Sequence, residues 1–100
     1  MLSVKVTPRA AEQIEAAVNW WRVNRPAASG ALLEEFEAAL KVISRQPRIG
    51  AKASNAKLSG VRRLYLARIR YVLYYQIRAK PQRVEVLALW HASRGRSPPL

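Results

Sequence analysis

The sequence predicts an α+β domain of order β-α-α-β-β-β, an N-terminal strand followed by an αα-hairpin and a three-stranded antiparallel meander. Three observations predict it. Apolar residues alternate with period two at Leu2, Val4 and Val6, and they recur at helical spacing at Ile14, Val18 and Trp21 and again at Phe36, Leu40 and Ile43. Three runs rich in Val, Leu, Ile, Tyr and Trp then fill residues 61–91, joined by short links. With 100 residues, half of them apolar, the chain holds one core and not two.

The first strand stops at Thr7-Pro8, where Thr is a good N-cap and Pro is favoured in the first helical position. Ile14, Ala17, Val18 and Trp21 then share one face of a helix running to about residue 23, and Asn24-Arg25-Pro26 ends it. A second helix is expected over residues 26–44, burying Leu33, Phe36, Leu40 and Ile43 and exposing Glu34, Glu35, Glu37 and Lys41. Gly30 weakens its first turn by roughly 1 kcal/mol relative to Ala. No periodicity survives across residues 46–60, where Pro47, Gly50, Asn55 and Gly60 mark a long connection of the kind that is usually functional or mobile. Strands are expected over residues 61–67, 70–79 and 83–91, linked by Arg68-Ile69 and Lys80-Pro81-Gln82. In the last of them Val84, Val86, Ala88 and Trp90 take one face and Leu87 and Leu89 the other, so it is a central strand covered on both sides. One domain, residues 1–94, is followed by a Pro-rich, flexible tail, residues 95–100.

Composition removes several function classes. The chain has no Cys and one His, so a thiolate or imidazole metal centre and cysteine catalysis are excluded, and no metal or cofactor is expected. Neither a Gly-rich phosphate loop nor a Ser nucleophile elbow is present. The N-terminus has no apolar signal region and no run approaches the ~20 residues a bilayer needs, which points to the cytoplasm and no membrane partner. The net charge is +12, distributed unevenly: seven basic and five acidic residues in the first half, eleven basic and only Glu85 acidic in the second. Such an excess implies a polyanionic or acidic partner for what the second half builds.

Four local signatures coincide with the element order. They are Trp20-Trp21 with Asn24-Arg25-Pro26, Phe36, Leu40 and Ile43 closing on Pro47 and Gly50, Gly60-Val61-Arg62-Arg63-Leu64, and Tyr71-Val72-Leu73-Tyr74-Tyr75 followed by Val84 to His91. Across residues 2–94 the chain resembles the RelE/ParE superfamily of type II toxin–antitoxin toxins. The resemblance implies a ParD-like antitoxin partner that folds onto the toxin, and one of two activities: inhibition of DNA gyrase and so of replication in ParE-like members, or ribosome-dependent messenger RNA cleavage in RelE-like members. Only the second would make it an enzyme. RelE-like nucleases usually end in a Tyr or a His-Tyr pair, whereas here His91 is followed by Ala92-Ser93-Arg94, so the chain is closer to the ParE-like branch. A basic nucleic-acid-binding domain without toxicity is the third reading.

Candidate residues follow. RNA cleavage needs a base, an acid and a cation for the phosphorane, which His91, Glu85, Arg63 and Arg70 supply in principle. Glu85 reads as a structural or paired carboxylate, and a strand-end His91 is more often a hydrogen-bonded structural residue than a catalyst. Arg62, Arg63, Arg68, Arg70 and Arg94 are the target or anion-binding candidates; Arg62 shares the inner parity of Leu64 and Leu66, leaving Arg63 with Tyr65 on the outer face. Trp20, Trp21, Tyr65 and Tyr74 are the antitoxin-binding candidates, although Trp21 continues the core stripe and strand tyrosines often serve as packing pairs.

Overall fold

A computed structural model describes residues 1–54 and 56–100; Asn55 lies outside the described residues. Strand β1 (Ser3–Val6) leads into helix α1 (Pro8–Asn24), and a 3-10 turn at Pro26–Ala28 connects it to α2 (Ala31–Arg45). Strands β2 (Ala51–Lys52), β3 (Val61–Leu66), β4 (Tyr71–Arg78) and β5 (Arg83–His91) complete one five-stranded sheet of order β1-β5-β4-β3-β2. The meander is antiparallel throughout, and β1 returns parallel to β5, pairing Val4 with Val84 and Val6 with Val86.

Local chemistry sets the element ends. Thr7 Oγ1 accepts from Ala10 N at 3.3 Å and donates to Val86 O at 3.0 Å, so one hydroxyl caps α1 and ties it to β5. Ser44 Oγ donates to Leu2 O at 2.6 Å, fastening the end of α2 to the start of β1. Gln13 Oε1 accepts from Leu89 N at 2.9 Å, beyond the point where β1 stops pairing with β5.

The sheet separates two apolar layers. Against the helices lie Leu32, Phe36, Ile43, Leu73, Tyr75, Val84, Val86 and Leu89; on the opposite face lie Ala53, Val61, Tyr74, Leu87, Ala88 and Trp90. Strand β5 is covered on both sides, but the residue assignment differs from simple alternation. Tyr74 pairs with Ala88 and Tyr75 with Val86, so Leu87 is an extra residue in a β-bulge. The bulge shifts the parity: Val84 and Val86 face the helices, whereas Ala88 and Trp90 face the other way.

Helix α2 also departs from expectation. Residues 26–30 form the 3-10 helix and a turn, and the α-helix begins after Gly30. Its buried face is Leu32, Phe36, Ala39 and Ile43, with Leu40 half-buried and Leu33 44% exposed. Ala31 is buried as well, at the first turn; at about 100° per residue Leu32, Phe36, Ala39 and Ile43 span about 60°, and Leu33 falls outside that arc. The irregular connection contributes β2, two residues paired with Arg62 and Arg63. Residues 95–100 take no helix or strand, yet they fold back on the sheet: Trp90 Nε1 donates to Arg96 O at 2.8 Å, Lys57 N donates to Leu100 O at 2.6 Å, and Leu100 packs on the second apolar layer.

Candidate functional site

On the sheet face away from the helices, the pleat places Arg63, Tyr65, Val72, Tyr74 and Trp90 side by side. Tyr65 pairs with Val72 and Val72 with Trp90, so these three cross three adjacent strands, about 10 Å from first to last. Arg63 stands opposite Tyr74 in the neighbouring row. With His91, Arg94 and Arg96 these residues line a cavity of about 540 Å³. Tyr65 is 55% exposed within it, and no carboxylate is among the lining residues.

Trp90 organises the cationic rim. The Arg94 guanidinium lies 4.0 Å from its ring centroid and that of Arg96 lies at 6.0 Å. Because the indole N–H bonds to the Arg96 carbonyl, the strand end holds both arginines over the sheet. The nearby His91 ring packs edge-on against Tyr71 at 4.9 Å. Its Nδ1 accepts from Ser93 N at 3.1 Å, with Ser93 Oγ at 2.6 Å, which leaves Nε2 as the protonated nitrogen of the neutral ring. Burial pushes the Tyr71 hydroxyl above the usual phenol range, with the Trp21 indole opposing the shift, so Tyr71 is neutral at physiological pH.

The sequence-derived candidates separate in space. Arg62 faces inward, donating to Arg48 O at 3.1 Å and Gly50 O at 2.8 Å, and Arg68 pairs with Glu34 at 3.2 Å and Glu35 at 3.1 Å. Both therefore serve the fold locally, Arg62 by holding the connection and Arg68 by tying the β3–β4 turn to α2. Arg63 and Arg94 share the sheet-face cavity with His91. Arg70 lies instead round the end of the sheet, in a second cleft with Trp20, Trp21, Arg25 and His91. His91 thus stands between the two surfaces. Of the antitoxin candidates, Tyr65 and Tyr74 line the sheet face while Trp20 and Trp21 edge the helix-side cleft, packed edge-to-face at 6.4 Å. Glu85 is bound to Arg83 at 3.2 Å and sits six residues from His91 along β5, about 20 Å away at strand rise.

Arg96, Arg25 and Trp90 were not singled out as site residues by the sequence. Arg96 lies in the Pro-rich tail, and only the docking of that tail brings it to the rim. The sole sequence signal is the spacing of Arg94 and Arg96 after His91.

Arg70 has φ 59°, in the left-handed region that Gly adopts without cost. Relief of that strain and the added chain entropy of Gly oppose each other, so Arg70→Gly is expected to unfold within about 1 kcal/mol of the parent. A larger loss in thermal unfolding would mean that the guanidinium holds the turn.

Among the described residues no helix is long and apolar enough to cross a membrane, and no group of three or more His, Cys, Asp or Glu is placed to hold a metal. The chain superposes on a solved structure titled "Chromosomal ParDE TA system from P. aeruginosa" with TM-score 0.74 and 21% identity, covering 93% of this chain and 98% of that one. Comparison with curated proteins gives no match. The family model described as "ParE toxin of type II toxin-antitoxin system, parDE" matches residues 4–95, nearly the whole folded unit, and the chain belongs to that family.

Proposed function

We propose that this toxin inhibits DNA gyrase in the cytoplasm, blocking replication, and is neutralised by a ParD-like antitoxin. The observation that carries the reading is the family match over residues 4–95, which spans both the helical hairpin and the complete meander. The site geometry weighs against RNA cleavage: His91 shares the sheet-face cavity with Arg63 and Arg94, but no carboxylate lines it. Glu85 is engaged with Arg83 far from His91, Arg70 and Arg63 lie in different clefts, and the Nδ1 of His91 is occupied by Ser93. A cleavage reaction needs its base, acid and phosphorane cation converging on one phosphate.

An acidic antitoxin suits the +12 charge. If it contacts Trp20 and Trp21 as well as Tyr65 and Tyr74, its segment must pass round the His91 end of β5, where the two clefts meet.

Purified toxin and gyrase with plasmid test the reading. Cleaved or linearised plasmid is expected to accumulate, and co-purified antitoxin to suppress it. Unaffected gyrase, together with codon-phased cuts in toeprints of translating ribosomes that vanish in His91→Ala, would replace this reading with ribosome-dependent RNA cleavage.

A further inference from the structure

We propose that the sheet face opposite the helices binds single-stranded nucleic acid, with Arg63, Arg94 and Arg96 holding phosphates and Tyr65 stacking on a base. The inference goes beyond gyrase inhibition and does not depend on it. It starts from charge that the fold leaves uncompensated. Among the described residues only Arg68 and Arg83 form ion pairs with carboxylates, and neither is at this face. Glu85, the one acidic residue after residue 50, is held by Arg83 away from the cavity. The cavity is therefore lined by Arg63, Arg94 and Arg96 with no Asp or Glu among its lining residues.

Their placement is built rather than incidental. Arg63 projects from β3 on the outward parity beside Tyr65, fixed by its pairing with Tyr74 and Ala51. Arg94 lies 4.0 Å from the Trp90 ring centroid, and Arg96 is drawn in by the bond from Trp90 Nε1 to its carbonyl. Three phosphate-binding forks thus surround one cavity of about 540 Å³, within the ordinary range for ligand sites of about 300–1,000 Å³.

The exposed aromatic selects the ligand. An acidic antitoxin segment would use the arginines and pack side chains against Tyr65, which is more than half exposed between them, but it offers no flat face to the ring. A nucleobase does: any base presents its π-face to an aromatic ring beside a cationic backbone track. A duplex keeps its bases stacked inside and cannot present that face, so the site is matched to a single strand.

The test is fluorescence anisotropy of a labelled oligothymidylate of about 12 nucleotides, within the span of such sites, titrated with the full chain without gyrase or antitoxin. Its failure therefore leaves the gyrase reading intact. With three phosphates engaged, log affinity is expected to fall against log salt with a slope of about −2, roughly a 20-fold weakening from 50 to 200 mM. Arg63→Ala and Arg94→Ala should each make that slope shallower by about 0.7. Tyr65→Ala should weaken binding about tenfold at fixed salt, and Tyr65→Phe, which keeps the ring, should restore it. Arg63 and Tyr65 are exposed, so these variants should retain the parent melting temperature. Lys41→Ala with Arg45→Ala, on the exposed side of α2, should bind like the parent. The proposal is overturned if that α2 pair weakens binding as much as the Arg63 and Arg94 changes, if Tyr65→Ala binds normally, or if a duplex or polyglutamate at equal charge binds as tightly.

Discussion

Phe36→Ala is expected to lower stability by about 3–5 kcal/mol, a large share of the roughly 5–15 kcal/mol a domain of this size has. Phe36 is 6% exposed and lies in the middle of the buried face of α2, among Leu32, Ile43, Leu73 and Tyr75. Removing the ring exposes no new polar group, so the loss comes from transfer and from the cavity left under the helix. For a domain of about 100 residues that corresponds to a melting temperature some 12–40 °C lower, and toxicity should disappear with the fold. Leu33→Ala is the internal comparison. Leu33 is 44% exposed at the margin of the same helix, and its truncation should cost under about 1 kcal/mol. Equal losses at the two positions in urea or thermal unfolding would show that the buried face of α2 is misplaced.

Gly50→Ala is the second large effect. A Cβ there would stand 2.7 Å from Tyr75 Oη, 2.8 Å from the Arg63 carbonyl oxygen and 2.9 Å from Tyr75 Cε1. None of these can yield easily. Tyr75 is fully buried, and its hydroxyl donates to Pro47 O at 2.7 Å while accepting from Gly50 N at 2.9 Å. Burial raises the Tyr75 pKa above the usual phenol value, which keeps the hydroxyl protonated and able to donate through the neutral range. The carbonyl of Arg63 belongs to β3, the strand that carries the proposed phosphate contact. Relieving the clash would move either β3 or the connection that Arg62 holds through Gly50 O. The expected cost is about 3 kcal/mol, at the upper end for overpacking because backbone and a hydrogen-bonded ring oppose it together. Gly60→Ala provides the contrast: φ is +72° there, but nothing lies within 4 Å of the added carbon. Only the left-handed strain of about 1–2 kcal/mol applies. A Gly50→Ala protein that melts no lower than Gly60→Ala would refute the close approach.

Element order and strand extents were legible because their causes lie between neighbours in sequence. Thr7-Pro8 caps α1, Tyr71 to Arg78 is apolar and β-branched or aromatic enough to extend, and alternation correctly put Arg62 inward with Leu64 and Arg63 outward with Tyr65. The family resemblance rested on the same local signals in their order. Where a local rule has several acceptable answers, the partner across the core chose. Leu32 and Leu33 are both leucines at the start of α2, and the sheet took Leu32 with the small Ala39. Period two holds in β5 only until the bulge at Leu87, which reverses the faces of every later residue and so decides that Trp90 looks away from the helices.

The site depended still more on the tertiary structure. By sequence alone five arginines were candidate anion contacts and only the parity of Arg62 and Arg63 separated any of them; in the fold Arg62 is bound to backbone carbonyls and Arg68 to two glutamates, while Arg70 turns to another cleft. Arg63 remains with Arg94, and Arg96 joins them because a tail without regular structure docks through carbonyl acceptors and Leu100. Charge, periodicity and capping act over a few residues and can be read from the chain itself. Which cations stay unpaired, and which face each presents, depends on groups that meet only after folding, as Arg68 meets glutamates more than thirty positions away.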